Sequence, residues 1–138
     1  MASENVERVL RGYEAFNRRD VEGALEGLSP DIVWLGPAVL PEGDREFRGH
    51  DGVKEFWRMW HETFEEFRTE IVETIDAGDR VMVMARMHAR HRDSGGEMAT
   101  PSFPHVWTIR DQEVVRVEMY PRRADALEAL GLTDEQTR

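Results

Sequence analysis

The 138-residue chain contains no cysteine, which excludes a disulfide framework, a thiolate zinc site and a cysteine nucleophile, and fits a reducing compartment. It also lacks a basic stretch, since no run of Lys or Arg goes beyond the adjacent Arg122 and Arg123. With 18 basic against 28 acidic side chains, the formal charge of −10 repels phosphate backbones and anionic head groups. Neither nucleic acid nor a membrane is therefore an expected partner. Long apolar runs are missing too: the longest, Val81 to Ala85, is far too short to cross a bilayer. Met1-Ala2-Ser3-Glu4-Asn5 has neither the basic start nor the apolar stretch of a secretion signal. A cytoplasmic location is the expectation.

What is present is a chain of 40% hydrophobic residues with no internal repeat, low-complexity tract or linker, as expected for one domain over residues 1–138. Val6, Val9, Leu10, Tyr13 and Phe16 recur at spacings of three and four, which predicts a helix with one buried face and Ser3 as its cap. Asp20 is placed to cap a second short helix carrying Val21, Ala24, Leu25 and Leu28, ended by Ser29-Pro30-Asp31. Ile32 to Leu35 reads as a strand stopped by Gly36-Pro37, and Ala38 to Arg48 as a polar loop long enough to be a lid. Val53, Phe56, Trp57, Trp60 and Phe64 keep helical spacing, giving a third helix to about Glu65 with an aromatic inner face. Four antiparallel strands follow, over Arg68–Asp76, Arg80–Arg92, Glu97–Arg110 and Glu113–Tyr120, and then a helix from Arg123 to Leu130 stopped by Gly131.

Strand side chains alternate faces, so the strands can be phased. Val81, Val83, Ala85, Met87 and Ala89 form an apolar row facing the helices, and Met82, Met84, Arg86 and His88 lie opposite. Phe103, His105, Trp107 and Ile109 form the inward row of the next strand, and Val115, Val117 and Met119 that of the last. His105 is thereby carried inside. The candidate ligand contacts are Trp34, Phe56, Trp57, Trp60, Trp107, Val117 and Met119, a wall suited to a ring-containing molecule. The apolar bulk of Met82 and Met84 on the outer row, beside Arg86 and His88, suits a homodimer interface.

The order of elements, with Phe47-Arg48-Gly49-His50-Asp51-Gly52-Val53 leading into the third helix, the Gly78-Asp79-Arg80-Val81 turn, the run Val114 to Tyr120 and the helix Ala126 to Leu132, resembles the SnoaL-like branch of the nuclear transport factor 2-like superfamily. The resemblance spans Val6 to Leu132. It implies an α+β fold: a curved antiparallel or mixed sheet wrapped around three N-terminal helices as a cone with an internal pocket, a short C-terminal helix, and a homodimer through the outer sheet face. Against ketosteroid isomerases in this superfamily, the helix-1 tyrosine corresponds to Tyr13, the carboxylate base to Gly36 and the second acid to His105, so the proton-shuttling carboxylate is missing. Against SnoaL-type polyketide cyclases, the histidine and acid pair corresponds to His105 and Met119, so half of it survives. The acid, arginine and acid set of limonene-type epoxide hydrolases has no counterpart on the inward rows.

His105, whose ordinary pKa is about 6.5, is the candidate acid/base, and Tyr13 the candidate hydrogen-bond donor to a carbonyl or enolate oxygen. Neither a metal nor a redox cofactor is expected: His88 and His91 point to opposite strand faces, and His61-Glu62 lacks a second histidine at helical spacing. His50 reads as a loop histidine, Asp93-Ser94-Gly95-Gly96 as a hairpin turn, and Glu62, Glu65, Glu66, Glu70 and Glu73 as a solvated face. Two functions fit these residues. One is a small-molecule-binding protein that performs proton transfer, as an isomerase, cyclase or dehydratase, on an apolar carbonyl or ring-containing substrate. The other is a non-catalytic binding or homodimeric assembly module. A cavity of a few hundred Å³ reaching His105 favours the first, and a cavity closed by Trp34, Trp57 and Trp107 the second.

Overall fold

The first helix, α1 (Glu4–Asn17), starts where Ser3 Oγ accepts the Val6 amide at 3.1 Å, and it turns Val6, Val9 and Tyr13 into the core. In the computed structural model, which describes residues 3–36 and 46–137, α2 (Val21–Glu26) is capped by Asp20, whose Oδ1 accepts the Gly23 amide at 2.9 Å. Both caps satisfy amides that a helix cannot bond internally. The third helix, α3 (Gly49–Thr63), ends two residues before the expected Glu65, because the chain passes directly into a strand at Phe64.

Among the described residues, seven strands form one sheet: β1 (Leu28–Leu35), β2 (Glu46–Arg48), β3 (Phe64–Asp76), β4 (Arg80–His91), β5 (Glu97–Ala99), β6 (Phe103–Arg110) and β7 (Glu113–Met119). Their order is β2-β1-β7-β6-β4-β3, with β5 beside β4. Of these described pairs, β1 against β7 is parallel and the others are antiparallel. The register of β3 against β4 shifts twice, between Glu65 and Arg68 and between Ile71 and Glu73. Such bulges bend a strand and increase its twist, which curves the sheet around α1 and α3. At the end of α1, Asn17 holds both backbone groups of Thr69: its Nδ2 donates to the carbonyl at 2.9 Å and its Oδ1 accepts the amide at 2.8 Å.

Several expectations need correction. β1 begins at Leu28, so Ser29-Pro30-Asp31 is strand and not a helix stop. Its pairing with β7 is irregular between Leu28 and Val33, where Pro30 does not have to supply a ladder hydrogen bond. The expected strand Glu97–Arg110 is two strands, with Pro101 between them. The lid segment lies outside the described residues except for its last three, which form β2 against β1. In β7 a register shift opposite Thr108 and Ile109 puts Val114 in the core and leaves Val115 only half-buried, so strict alternation fails at that end.

The outer sheet face also differs. The last helix, α4 (Arg123–Leu130), lies across it, and Ala126, Leu127 and Leu130 bury Met82 (0% exposed) and Met84 (7%) together with Ile75 and Val106. The apolar bulk on the outer row is therefore covered by the chain itself and does not argue for a dimer interface; Arg86 and His88 remain beyond the helix. Gly131 ends α4 with φ +72°, a left-handed conformation that glycine adopts without a Cβ penalty. Arg123 ties the helix to β3, donating from Nε and Nη2 to the Glu73 carboxylate at 2.9 Å each. The other carboxylates expected to be merely solvated are paired too: Glu62 with Arg58, Glu65 with Arg92, Glu66 with Arg90 and Glu70 with His88. No described helix is long and apolar enough to cross a membrane.

Candidate functional site

The curved sheet and the helices enclose a cavity of about 830 Å³. Eight of the sequence candidates line it: Tyr13 from α1, Trp34 from β1, Phe56, Trp57 and Trp60 from α3, His105 and Trp107 from β6, and Met119 from β7. Val117 does not. It is paired with Trp34 on one side and Trp107 on the other, and those two indoles meet with ring centroids 5.4 Å apart, so its small side chain is fully buried in the core. The wall also contains Phe16, Phe67, Thr69, Met87, Met98 and Phe103, which were not put forward as ligand contacts. Phe16 on the α1 face and Met87 and Phe103 on inward strand rows carried the right phase. Phe67 and Met98 flank strand irregularities that parity does not reach.

Tyr13 Oη stands 2.6 Å from His105 Nδ1 and accepts the Trp107 Nε1 hydrogen at 2.9 Å. Burial alone lowers the His105 pKa from 6.5 to about 4, so the imidazole is neutral at pH 7 and has one N–H. Burial likewise raises the Tyr13 pKa, against the smaller opposing effect of the Trp107 hydrogen bond, so the phenol keeps its hydrogen. Placing the imidazole hydrogen on Nδ1 would leave both the phenol hydrogen and Nε2 without a partner. Placing it on Nε2 lets the phenol donate to Nδ1 and leaves one group unmatched. The second arrangement is favoured, because an unmade buried hydrogen bond costs about 1–3 kcal/mol. His105 Nε2 is then a donor with no described partner, on a residue 3% exposed.

Phe103 packs edge-on against that imidazole at 4.8 Å between ring centroids. Among the described residues no Asp or Glu is buried, and Gly36, directly after β1, has no side chain to offer. Met119 is the direct cross-strand partner of His105. The site can thus donate a hydrogen bond in an apolar, desolvated setting, where such a bond is strong, but the described carboxylate on its wall, Glu26, is exposed and does not pair with His105 to hold an imidazolium.

The other histidines have local partners. His50 Nε2 is 2.9 Å from the Leu28 carbonyl, His61 Nδ1 2.9 Å from the Trp57 carbonyl, and His88 Nε2 2.8 Å from Glu70. His91 packs on Phe64 at 4.6 Å. No described group of three His, Asp or Glu residues could hold a metal ion.

A family model, the SnoaL-like domain, matches residues 9–117. Among curated proteins no match is found. Among solved structures, an NTF2-like protein of unknown function from Burkholderia pseudomallei is 30% identical, with TM-score 0.77 over 94% of this chain and 98% of that one. TerC, co-crystallized with polyporic acid, is 32% identical, with TM-score 0.75 over 93% and 98%. RV0760c from Mycobacterium tuberculosis, in complex with estradiol-17beta-hemisuccinate, shares the fold at 16% identity, with TM-score 0.73 over 89% and 97%. The curved mixed sheet around the N-terminal helices, the short C-terminal helix and the extent of these matches lead to one assignment: the chain belongs to the SnoaL-like family of the nuclear transport factor 2-like superfamily.

Proposed function

We propose that this protein binds a small, largely apolar, ring-containing molecule and takes hold of its carbonyl oxygen with His105. The observation that carries this reading is the unmatched Nε2 hydrogen of His105 beside an 830 Å³ cavity whose largely apolar wall is rich in aromatic and methionine side chains. A carbonyl oxygen would recover the hydrogen bond that the protein itself leaves unmade, and the wall would take up the rings. Tyr13 fixes the tautomer, and Trp107 fixes Tyr13. TerC, with polyporic acid, and RV0760c, with estradiol-17beta-hemisuccinate, are relatives that hold small organic molecules, in keeping with this reading.

Polarising a carbonyl also acidifies the carbon beside it, so the chemistry this site favours is isomerisation, aldol-type cyclisation or dehydration, with His105 stabilising the enolate oxygen and water admitted with the substrate taking up the carbon's proton. The absence of a buried carboxylate among the described residues favours the second reading, binding without turnover. The homodimer is narrowed to the part of the outer sheet face around Arg86 and His88 that α4 leaves uncovered.

Calorimetric titration with 1-tetralone, a cyclic aryl ketone, tests the binding. The wild-type protein is expected to bind, and His105→Phe to bind about tenfold more weakly. Deuterium uptake at the carbon beside the carbonyl, measured in D2O, separates the two readings: uptake faster than in buffer supports catalysis, and buffer-rate uptake supports binding alone. Failure of cyclic ketones to bind at all would sink both.

A further inference from the structure

Among the described residues, two buried side-chain nitrogen or oxygen atoms have no hydrogen-bond partner: His105 Nε2 and Trp34 Nε1. Buried polar groups in folded proteins are almost always matched, so each exception needs a reason. These two share three properties. Both residues line the same cavity, both are nine-tenths or more buried, at 3% and 5% exposed, and both atoms are donors in the tautomer argued above. The indole of Trp107, between them in the same wall, is by contrast already committed to Tyr13.

We infer that the ligand of this cavity carries two hydrogen-bond acceptors at opposite ends of a compact ring skeleton, as in a cyclic dione or a quinone, one for His105 and the other for Trp34. This rests on the reading of the cavity as a ligand site.

The sheet register sets the spacing of the two donors. Trp34 pairs with Val117 and Val117 with Trp107, so Trp34 and Trp107 are two strands apart, and His105 is two residues along β6 from Trp107. Two strand spacings and two residue rises put the two backbones roughly 12 Å apart. Side chains on the concave face converge from that distance. A ligand with a single carbonyl would match one donor and leave the other unmatched. Neither atom is accessible to a water-sized group as the side chains stand, so an acceptor reaches each donor only when its neighbours yield, and half-buried Phe103, edge-on to His105, is one such neighbour.

The test compares 1,4-naphthoquinone with 1-tetralone, two bicyclic probes that differ in having two acceptors or one. Binding is measured by equilibrium dialysis, together with the NMR resonance of the Trp34 indole N–H. The quinone is expected to bind about tenfold more tightly. The Trp34 indole proton should move downfield with the quinone and stay in place with the ketone, and Trp34→Phe should bring the two affinities together. The indole resonance is read on the wild-type protein, so the test stands even if Trp34→Phe does not fold. Equal affinities, or a Trp34 proton that does not respond to the quinone, would overturn the inference and leave the carbonyl-binding reading intact. If neither probe binds, that reading falls, and the inference with it.

Discussion

Tyr13 Oη and His105 Nδ1 lie 2.6 Å apart although 92 residues separate them in the chain. The contact joins the buried face of α1 to the inward row of β6, and it selects Nε2 as the imidazole nitrogen that carries the hydrogen and has no described partner. Without the phenol, the ring would have no fixed tautomer.

His105 should make stability depend on pH in a defined window. Its folded pKa of about 4 lies below the ordinary 6.5, so between those values the unfolded chain binds more protons than the folded one. Stability from this group is complete above about pH 6.5 and is lost as the pH falls toward 4, on the order of 3 kcal/mol in all. Thermal melts of the wild type and His105→Phe across this range are expected to show a steeper fall for the wild type, the difference reporting His105 alone. Parallel curves would mean that His105 titrates like an exposed histidine.

Tyr13→Phe keeps the ring and removes the hydroxyl. It leaves both the Trp107 Nε1 hydrogen and His105 Nδ1 without their partner, so a loss of about 1–3 kcal/mol in urea unfolding is expected. Nitrogen chemical shifts should report the Nε2–H form of His105 in the wild type and a mixture of tautomers in the variant, with 1-tetralone affinity reduced. A variant as stable as wild type and with an unchanged tautomer would show that the short contact does not order the site.

Met84→Asp distinguishes self-burial from subunit burial. Because α4 covers Met84, a carboxylate there is expected to destabilise each protomer by several kcal/mol, lowering the urea midpoint at every protein concentration. A folded, monomeric variant with an unchanged midpoint would instead restore Met84 to a subunit interface.

Much of this arrangement can be read from residue spacing, and the failures have local causes. The apolar face of α1, the caps at Ser3 and Asp20, the stop at Gly131 and the inward row through His105 follow from short-range periodicity and hydrogen-bonding chemistry, which the fold leaves undisturbed. Val115 was misplaced because one register shift reverses the parity of everything beyond it. Val117 was phased correctly, but phase gives the face and not the depth, and two large neighbours cover a small side chain. Strand phase assigns Met82 and Met84 to a homodimer interface because the docking of α4 over them is set by tertiary packing, which no strand pattern encodes. The unmatched donors of Trp34 and His105 were out of reach for the same reason: a hydrogen bond that is missing can be recognised only once every neighbour is in place.

The clasp of Asn17 on Thr69 has a consequence for aggregation. β3 forms the border of the sheet, and a bare border invites another chain to add itself as an extra strand. By occupying the outward amide and carbonyl of Thr69, a side-chain amide mimics such a strand for a single residue and interrupts the template there. The same short polar side chain that fastens α1 to the sheet thus helps to keep one molecule from zipping onto the next.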